Sequence, residues 1–258
     1  MFSRQLLRSS IANSRALPLS KPAIGKSFLN SRFYSFKAED QPRIRIGSLV
    51  PNFVADTTYG KIDFHEFIAD NWVVFFSHPA DFTPVCTTEL GAFARLAPEF
   101  DERGVKLIGL STEGVDSHKA WVKDIEDVST GGAKFNYPII ADHNKEVAFK
   151  FDMVSEDDFK KLNSGLVPTV RSVFVIDPAK KVRLIMTYPA STGRNSAEVL
   201  RVVDALQLAD RKGVVTPVDW TEGQDVIIPP TVSDADAKAK FGSFKTLKPY
   251  LRTTNLSK

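Results

Sequence analysis

The 258 residues contain one cysteine, and its neighbours decide what it can do. The local run is Phe76-Ser77-His78-Pro79-Ala80-Asp81-Phe82-Thr83-Pro84-Val85-Cys86-Thr87-Thr88-Glu89-Leu90. Thr83 followed by Pro84 predicts a helix start, because threonine is a favoured N-cap and proline is tolerated at the first helical position. Cys86 then takes the third helical position, facing unpaired backbone N–H groups and the positive end of the helix dipole. Both favour the thiolate, the nucleophilic form of the side chain. An arginine from another strand would add to the effect. The plain alternative is packing: Cys86, Leu90 and Phe93 share one helix face, as an inert core thiol would.

The elements that must hold this helix are legible around it. Val73-Val74-Phe75-Phe76 is a short continuous apolar run, the pattern of a strand buried on both faces. A loop, Ser77 to Phe82, leads to the cysteine helix with Leu90, Phe93 and Ala97. Val105 to Leu110 reads as a second strand, followed by a helix capped by Asp116 and carrying Trp121 and Ile125. Tyr137 to Ala141 reads as a strand and Lys145 to Phe151 as a short helix. Val170 to Asp177 and Val182 to Tyr188 flank Pro178-Ala179-Lys180-Lys181 as a β-hairpin. Asn195-Ser196-Ala197-Glu198 has capping-box spacing and opens a helix with Val199, Val202, Val203 and Leu206. Alternating strands and helices with a late hairpin predict an α/β three-layer domain with a mixed sheet.

Pro79-x-x-x-Thr83-x-x-Cys86 resembles the active-site signature of the peroxiredoxins. Val170-Arg171-Ser172-Val173-Phe174-Val175-Ile176-Asp177 and Tyr188-Pro189-Ala190-Ser191-Thr192-Gly193-Arg194-Asn195 extend the resemblance, which runs from about Arg43 to the C-terminus. Together these stretches are similar to the one-cysteine branch of the family and its mitochondrial members. The resemblance implies a thioredoxin-like fold, a mixed central sheet flanked by helices, with a C-terminal extension that forms a homodimer. It implies a thiol peroxidase acting on hydrogen peroxide and alkyl hydroperoxides in antioxidant defence and redox homeostasis, with no cofactor and no metal.

Residue by residue, the resemblance makes Cys86 the peroxidatic thiol, oxidised to sulfenic acid. It makes Thr83 a hydroxyl partner of peroxide and thiolate, and Pro79 a shield against bulk water. Arg171 matches the arginine that stabilises the thiolate and the polarised O–O bond. Glu89 and Arg194 match a supporting pair that orients Arg171, and His78 matches a histidine near the sulfur.

The departures inform as much. Two-cysteine relatives carry a resolving cysteine in a Val-Cys-Pro setting, where this chain reads Val215-Thr216-Pro217. Reduction therefore needs an outside thiol: glutathione with a glutaredoxin, or a thioredoxin system. A phospholipase serine of some relatives is replaced in Ala69-Asp70-Asn71-Trp72, so no lipase activity is expected. Two rival readings stand beside the peroxidase. A cysteine hydrolase needs an oriented histidine base. His65, His78, His118 and His143 lie scattered, which also argues against a metal centre. A holdase or scaffold would assemble without using the thiol.

Residues 1–38 hold seven basic side chains, eight serines and no acid. Of 34 basic residues these seven leave 27 against 31 acids, so the formal charge moves from +3 to −4 without them. The basic balance belongs to the leader, which argues against a nucleic-acid footprint. Its composition predicts a mitochondrial transit peptide over 1–34, cleaved after Tyr34, with delivery to the matrix. The longest apolar run, Trp72 to Phe76, is five residues, far short of a membrane span of about twenty. The mature chain is expected to divide into a peroxidase domain over 45–210 and an extension over 211–258. In the extension Pro217, Pro229, Pro230 and Pro249 accompany one short helix opened by Ser233. With too little periodic apolar sequence for a core of its own, the extension is expected to pack on the main domain or on a partner subunit; in the scaffold reading Trp220, Val226, Ile227 and Ile228 form an intersubunit arm.

Overall fold

The apolar run around Val73 becomes the central strand, and its alternation divides the core in two. In the computed structural model, which describes residues 35–165 and 167–256, this strand is β3 (Trp72–Ser77). The expected transit peptide and its cleavage point lie outside the described residues. Val73 and Phe75 point into one core with Phe64, Phe151 and Phe174, and Val74 and Phe76 into another with Phe93, Phe100 and Trp121. Both faces are buried, which explains the absence of any polar alternation in the run.

Six more strands complete the sheet: β1 (Val54–Thr57), β2 (Gly60–Asp63), β4 (Val105–Ser111), β5 (Ile139–Ala141), β6 (Arg171–Ile176) and β7 (Val182–Tyr188). Their order is β2-β1-β5-β4-β3-β6-β7. β3 runs parallel to β4 and antiparallel to β6, so the sheet is mixed, as expected. The helices α2 (Pro84–Glu102), α3 (Val115–Val128) and α6 (Ser196–Lys212) supply the core that holds Phe76. The short α1 (Phe64–Ile68), α4 (Glu146–Lys150) and α5 (Glu156–Phe159) supply residues of, or packed against, the other. α2 and α3 approach closely at Gly91, where a Cβ would collide with Ser129.

Several boundaries differ from the sequence reading. α3 is capped by Gly114, not Asp116, which sits in its first turn beside the positive dipole end. β5 begins at Ile139, two residues later than expected, just after Pro138, which has no N–H to give a ladder. Lys145 lies at φ 62°, in the left-handed region, so α4 starts one residue after it. The hairpin of β1 and β2 and the helices α1 and α5 were not anticipated. Asn195 caps α6 as expected, accepting from the Glu198 N–H. Ser233 opens α7 (Asp234–Phe241) in the same manner.

The C-terminal segment is better built than its composition suggests. β8 (Val226–Ile228), β9 (Lys245–Lys248) and β10 (Leu251–Thr254) form a second, antiparallel sheet in the order β8-β10-β9. Val214, Trp220 and Val226 make a small core of their own against Ala205 and Leu208 of α6 and against Phe241 and Leu256. Arg252 pins the sheet by donating to Asp234 Oδ1 at 2.6 Å and to the carbonyls of Pro229 and Val232. Trp220, Val226 and Ile228 are therefore buried within their own chain, which agrees with the expectation that the extension packs on the main domain.

Candidate active site

α2 opens as the Thr83-Pro84 pair predicts, with Thr83 extended at the N-cap and Pro84 at the first helical position. The threonine hydroxyl does not cap the helix, however. It donates to the Ala80 carbonyl at 2.8 Å and so closes the preceding loop. Pro79 is buried in that loop. The first α-helical hydrogen bond runs from Thr87 N to Thr83 O at 3.0 Å, and the Thr87 hydroxyl donates to the same carbonyl. Cys86 lies inside this turn with 0% of its surface exposed.

Position i+3 on a helix lies on the same side as position i, so Glu89 stands beside Cys86. β6 brings Arg171 to both. Its Nη1 donates to Cys86 Sγ at 3.3 Å and to Glu89 Oε2 at 2.6 Å. Its Nε and Nη2 donate to the Ala190 carbonyl at 3.1 and 2.7 Å, which fixes the guanidinium plane. Arg194 completes the group: Nε and Nη2 donate to the two Glu89 oxygens at 3.0 and 2.9 Å. Its Nη1 donates to the carbonyls of Ser77 and Ser172, tying the group to β3 and β6. The same guanidinium lies over the Phe76 and Phe93 rings.

Burial pushes the Glu89 carboxyl up, but Arg194 and then Arg171 override it and hold it below the ordinary carboxylate value. Two guanidinium ions against one carboxylate leave one buried positive charge over. Uncompensated buried charge is costly, and the group that Arg171 reaches beyond Glu89 and Ala190 is the Cys86 sulfur. An anion there would balance the set.

On another side of the same loop is a cluster that sequence reasoning missed. Asp81 Oδ1 accepts from His78 Nε2 at 3.0 Å, and Oδ2 accepts from His118 Nδ1 at 2.7 Å and from the Ser117 hydroxyl at 2.7 Å. Both histidines are fully buried. Two of the four histidines thus converge, correcting the view that they are scattered. The contacts of 2.7 and 3.0 Å are hydrogen-bond distances. Burial holds the His78 ring below the usual histidine range, against the pull of Asp81. Hydrogen bonds from His118 and His78 hold Asp81 well below the carboxylate range, although burial opposes them. The signal in the sequence was the three-residue spacing of His78 and Asp81; nothing in it pointed to His118.

Elsewhere the other candidate positions are ordinary. The Asn71 amide donates to the Ile68 carbonyl, and His65 Nε2 lies 2.9 Å from the Val50 carbonyl. Among the described residues, the hydrogen-bond partner of Cys86 Sγ is an arginine rather than the histidine a hydrolase would need.

Comparisons with known proteins agree with this geometry. Residues 46–185 match the AhpC/TSA family, and residues 205–243 match the C-terminal domain of 1-Cys peroxiredoxin. Peroxiredoxin PRX1, mitochondrial, of Saccharomyces cerevisiae is 61% identical over 219 residues, covering 85% of this chain and 84% of that protein. Peroxiredoxin-6 of Homo sapiens is 50% identical over 217 residues, covering 81% of this chain and 96% of that protein. Among solved structures, a yeast mitochondrial 1-Cys peroxiredoxin, described with thiol resolution via glutathione/thioredoxin systems, superposes with TM-score 0.74. It is 56% identical and covers 83% of this chain and 100% of that chain. Peroxiredoxin 6 of Arenicola marina superposes with TM-score 0.78 at 45% identity, covering 83% of this chain and 98% of that chain.

Proposed function

This chain belongs to the AhpC/TSA family as a one-cysteine peroxiredoxin, a thiol-dependent peroxidase, and from that premise we propose how its residues divide the work. Cys86 is the peroxidatic residue. Its thiolate attacks the terminal oxygen of a hydroperoxide, the O–O bond breaks, and sulfenic acid forms while the departing oxygen takes a proton and leaves as water or alcohol. Arg171 stabilises the thiolate before the attack and the charge spread over sulfur and two oxygens during it. Glu89 and Arg194 hold Arg171 in place. Thr83 turns its hydroxyl from Ala80 to the bound peroxide, and Pro79 keeps water away. The single observation that carries this reading is the Arg171 contact to Cys86 Sγ at 3.3 Å within a buried group of net positive charge.

With one cysteine, the sulfenic acid is returned by outside thiols. The first forms a mixed disulfide and releases water; the second reduces it. Glutathione or a thioredoxin system fits this role, in keeping with the yeast relative. The similarity to a mitochondrial protein, together with the acid-free leader, supports import into mitochondria, and we assign the matrix. The peroxidase domain spans 45–210 and the extension 211–258, with α6 crossing the junction. A homodimer is the assembly expected from the C-terminal extension, and among the described residues the outer edge of β7 is a strand edge left unpaired within the main sheet.

Rapid mixing of reduced protein with hydrogen peroxide, followed by mass spectrometry of the Cys86 peptide, tests the assignment. One added oxygen at low peroxide is expected. An unmodified peptide ends the reading. Cys86→Ser should abolish protection from peroxide and leave assembly intact, which separates the enzyme from a scaffold.

A further inference from the structure

The His78–Asp81–His118 cluster takes no part in the account above, yet it is buried beside the loop that delivers Cys86. We propose that Asp81 is a positioning residue for the peroxidase reaction: with His118 behind it, it locks His78 in the tautomer whose Nδ1 carries no proton. The proposal rests on the peroxidase reading and extends it to a new pair of residues.

The tautomer follows from what each atom can do. An ionised carboxylate only accepts hydrogen bonds, so His78 Nε2, 3.0 Å from Asp81 Oδ1, carries the proton. In a neutral ring the other nitrogen is then bare. Among the described residues, His78 Nδ1 is a buried atom with no hydrogen-bond partner. An unpartnered buried acceptor is costly, and proteins seldom keep one without a use. The bond it lacks is one that an O–H group supplies. Hydroperoxides and sulfenic acids each bring such a group, and accepting from it requires no transfer of the proton.

The surroundings hold the ring still. The His78 backbone donates to the Leu110 carbonyl and accepts from the Thr169 hydroxyl. Its ring packs 5.0 Å from that of Trp121, whose Nε1 donates to the hydroxyl of Thr87, the residue after Cys86. Asp81 is held as firmly, by the Ser117 hydroxyl, by His118 Nδ1, and through its own N–H by Glu113 Oε1. His118 in turn stands with Nε2 3.2 Å from the Ile140 carbonyl of β5. A line of contacts thus runs from the sheet through Asp81 to the His78 ring, which Trp121 links to Thr87 in the turn that bears the thiol.

The test uses reduced protein labelled with 15N-histidine. Long-range 1H–15N spectra are expected to show His78 protonated at Nε2 and bare at Nδ1. In Asp81→Asn the tautomer should become mixed or reversed, and oxidation of Cys86 by hydrogen peroxide should slow tenfold or more. His118→Gln, which keeps the carboxylate, should shift both readouts the same way and serves if the first variant does not fold. In a His78→Phe background, Asp81→Asn should cost nothing further. Folded variants with an unchanged tautomer overturn the proposal, as does an equal loss of rate in both backgrounds. If the unsubstituted protein fails to oxidise at Cys86, the peroxidase reading falls instead, while the spectra still report the tautomer.

Discussion

Two buried polar networks meet around the opening of α2, and they are built on opposite principles. The Arg171–Glu89–Arg194 group is made of permanent charges, and its single carboxylate is engaged by both guanidinium groups. Its sum is positive, so it calls for an anion. The His78–Asp81–His118 group centres one carboxylate between two rings whose charge depends on a proton. The first network sets the electrostatics at the sulfur; the second sets where hydrogens sit. Charge is insensitive to small displacements, whereas a tautomer is decided by which atom touches which. The two should therefore fail differently.

The largest failure is expected from the charged side. Arg171→Ala should slow oxidation of Cys86 by about 10³-fold, roughly 4 kcal/mol, without unfolding the chain, because Arg194 still neutralises Glu89. Stopped-flow kinetics with hydrogen peroxide check this, and an unchanged rate shows that the guanidinium is merely structural. Glu89→Gln should act on stability instead, costing about 3 kcal/mol by leaving two buried cations without their counterion. Urea unfolding at neutral pH measures it. A loss as small as that of an exposed ion pair would mean that water reaches the group.

Acid provides the third way to separate the networks. The Glu89 carboxyl is held below its ordinary value near 4.5 in the folded chain, and Asp81 below its ordinary 3.8. The folded state thus binds fewer protons than the unfolded one, and the stability from both groups is complete above those values. It should drain away as pH falls below about 4.5, first as Glu89 in the unfolded chain takes up its proton and then as Asp81 does. Thermal melts from pH 7 down to pH 3 should show a shallower decline in Glu89→Gln, and parallel curves would remove Glu89 from the account. The smallest effect belongs to the proton-dependent side: Ser117→Ala removes one of three donors to Asp81 and should cost about 1 kcal/mol.

The same contrast explains what the sequence disclosed. β3 was legible because burial on both faces leaves a run of apolar residues with no interruption. The helix start was legible because Thr83 and Pro84 act locally. Cys86, Arg171, Glu89 and Arg194 lie in three distant stretches, and only a resemblance could join them before the fold did. His118 is 37 residues from Asp81 and meets it because the loop after β3 and the helix after β4 emerge at the same end of two parallel strands. No local pattern records that meeting. β9 is exposed at every residue, so it carries no alternation to read. The Thr83 hydroxyl shows a finer limit, since the position was foreseen but its bond to Ala80 depends on the shape of the loop.

The complete enclosure of Cys86 means that some opening precedes any reaction at its sulfur, and the opening needed grows with the size of the partner. A hydroperoxide presents a slender tip of two oxygens, but a tripeptide or a protein thiol must bring its own sulfur to within bonding distance. A regenerating thiol therefore has to meet the sulfur at a turn that the N–H and hydroxyl of Thr87 hold on a single carbonyl, that of Thr83.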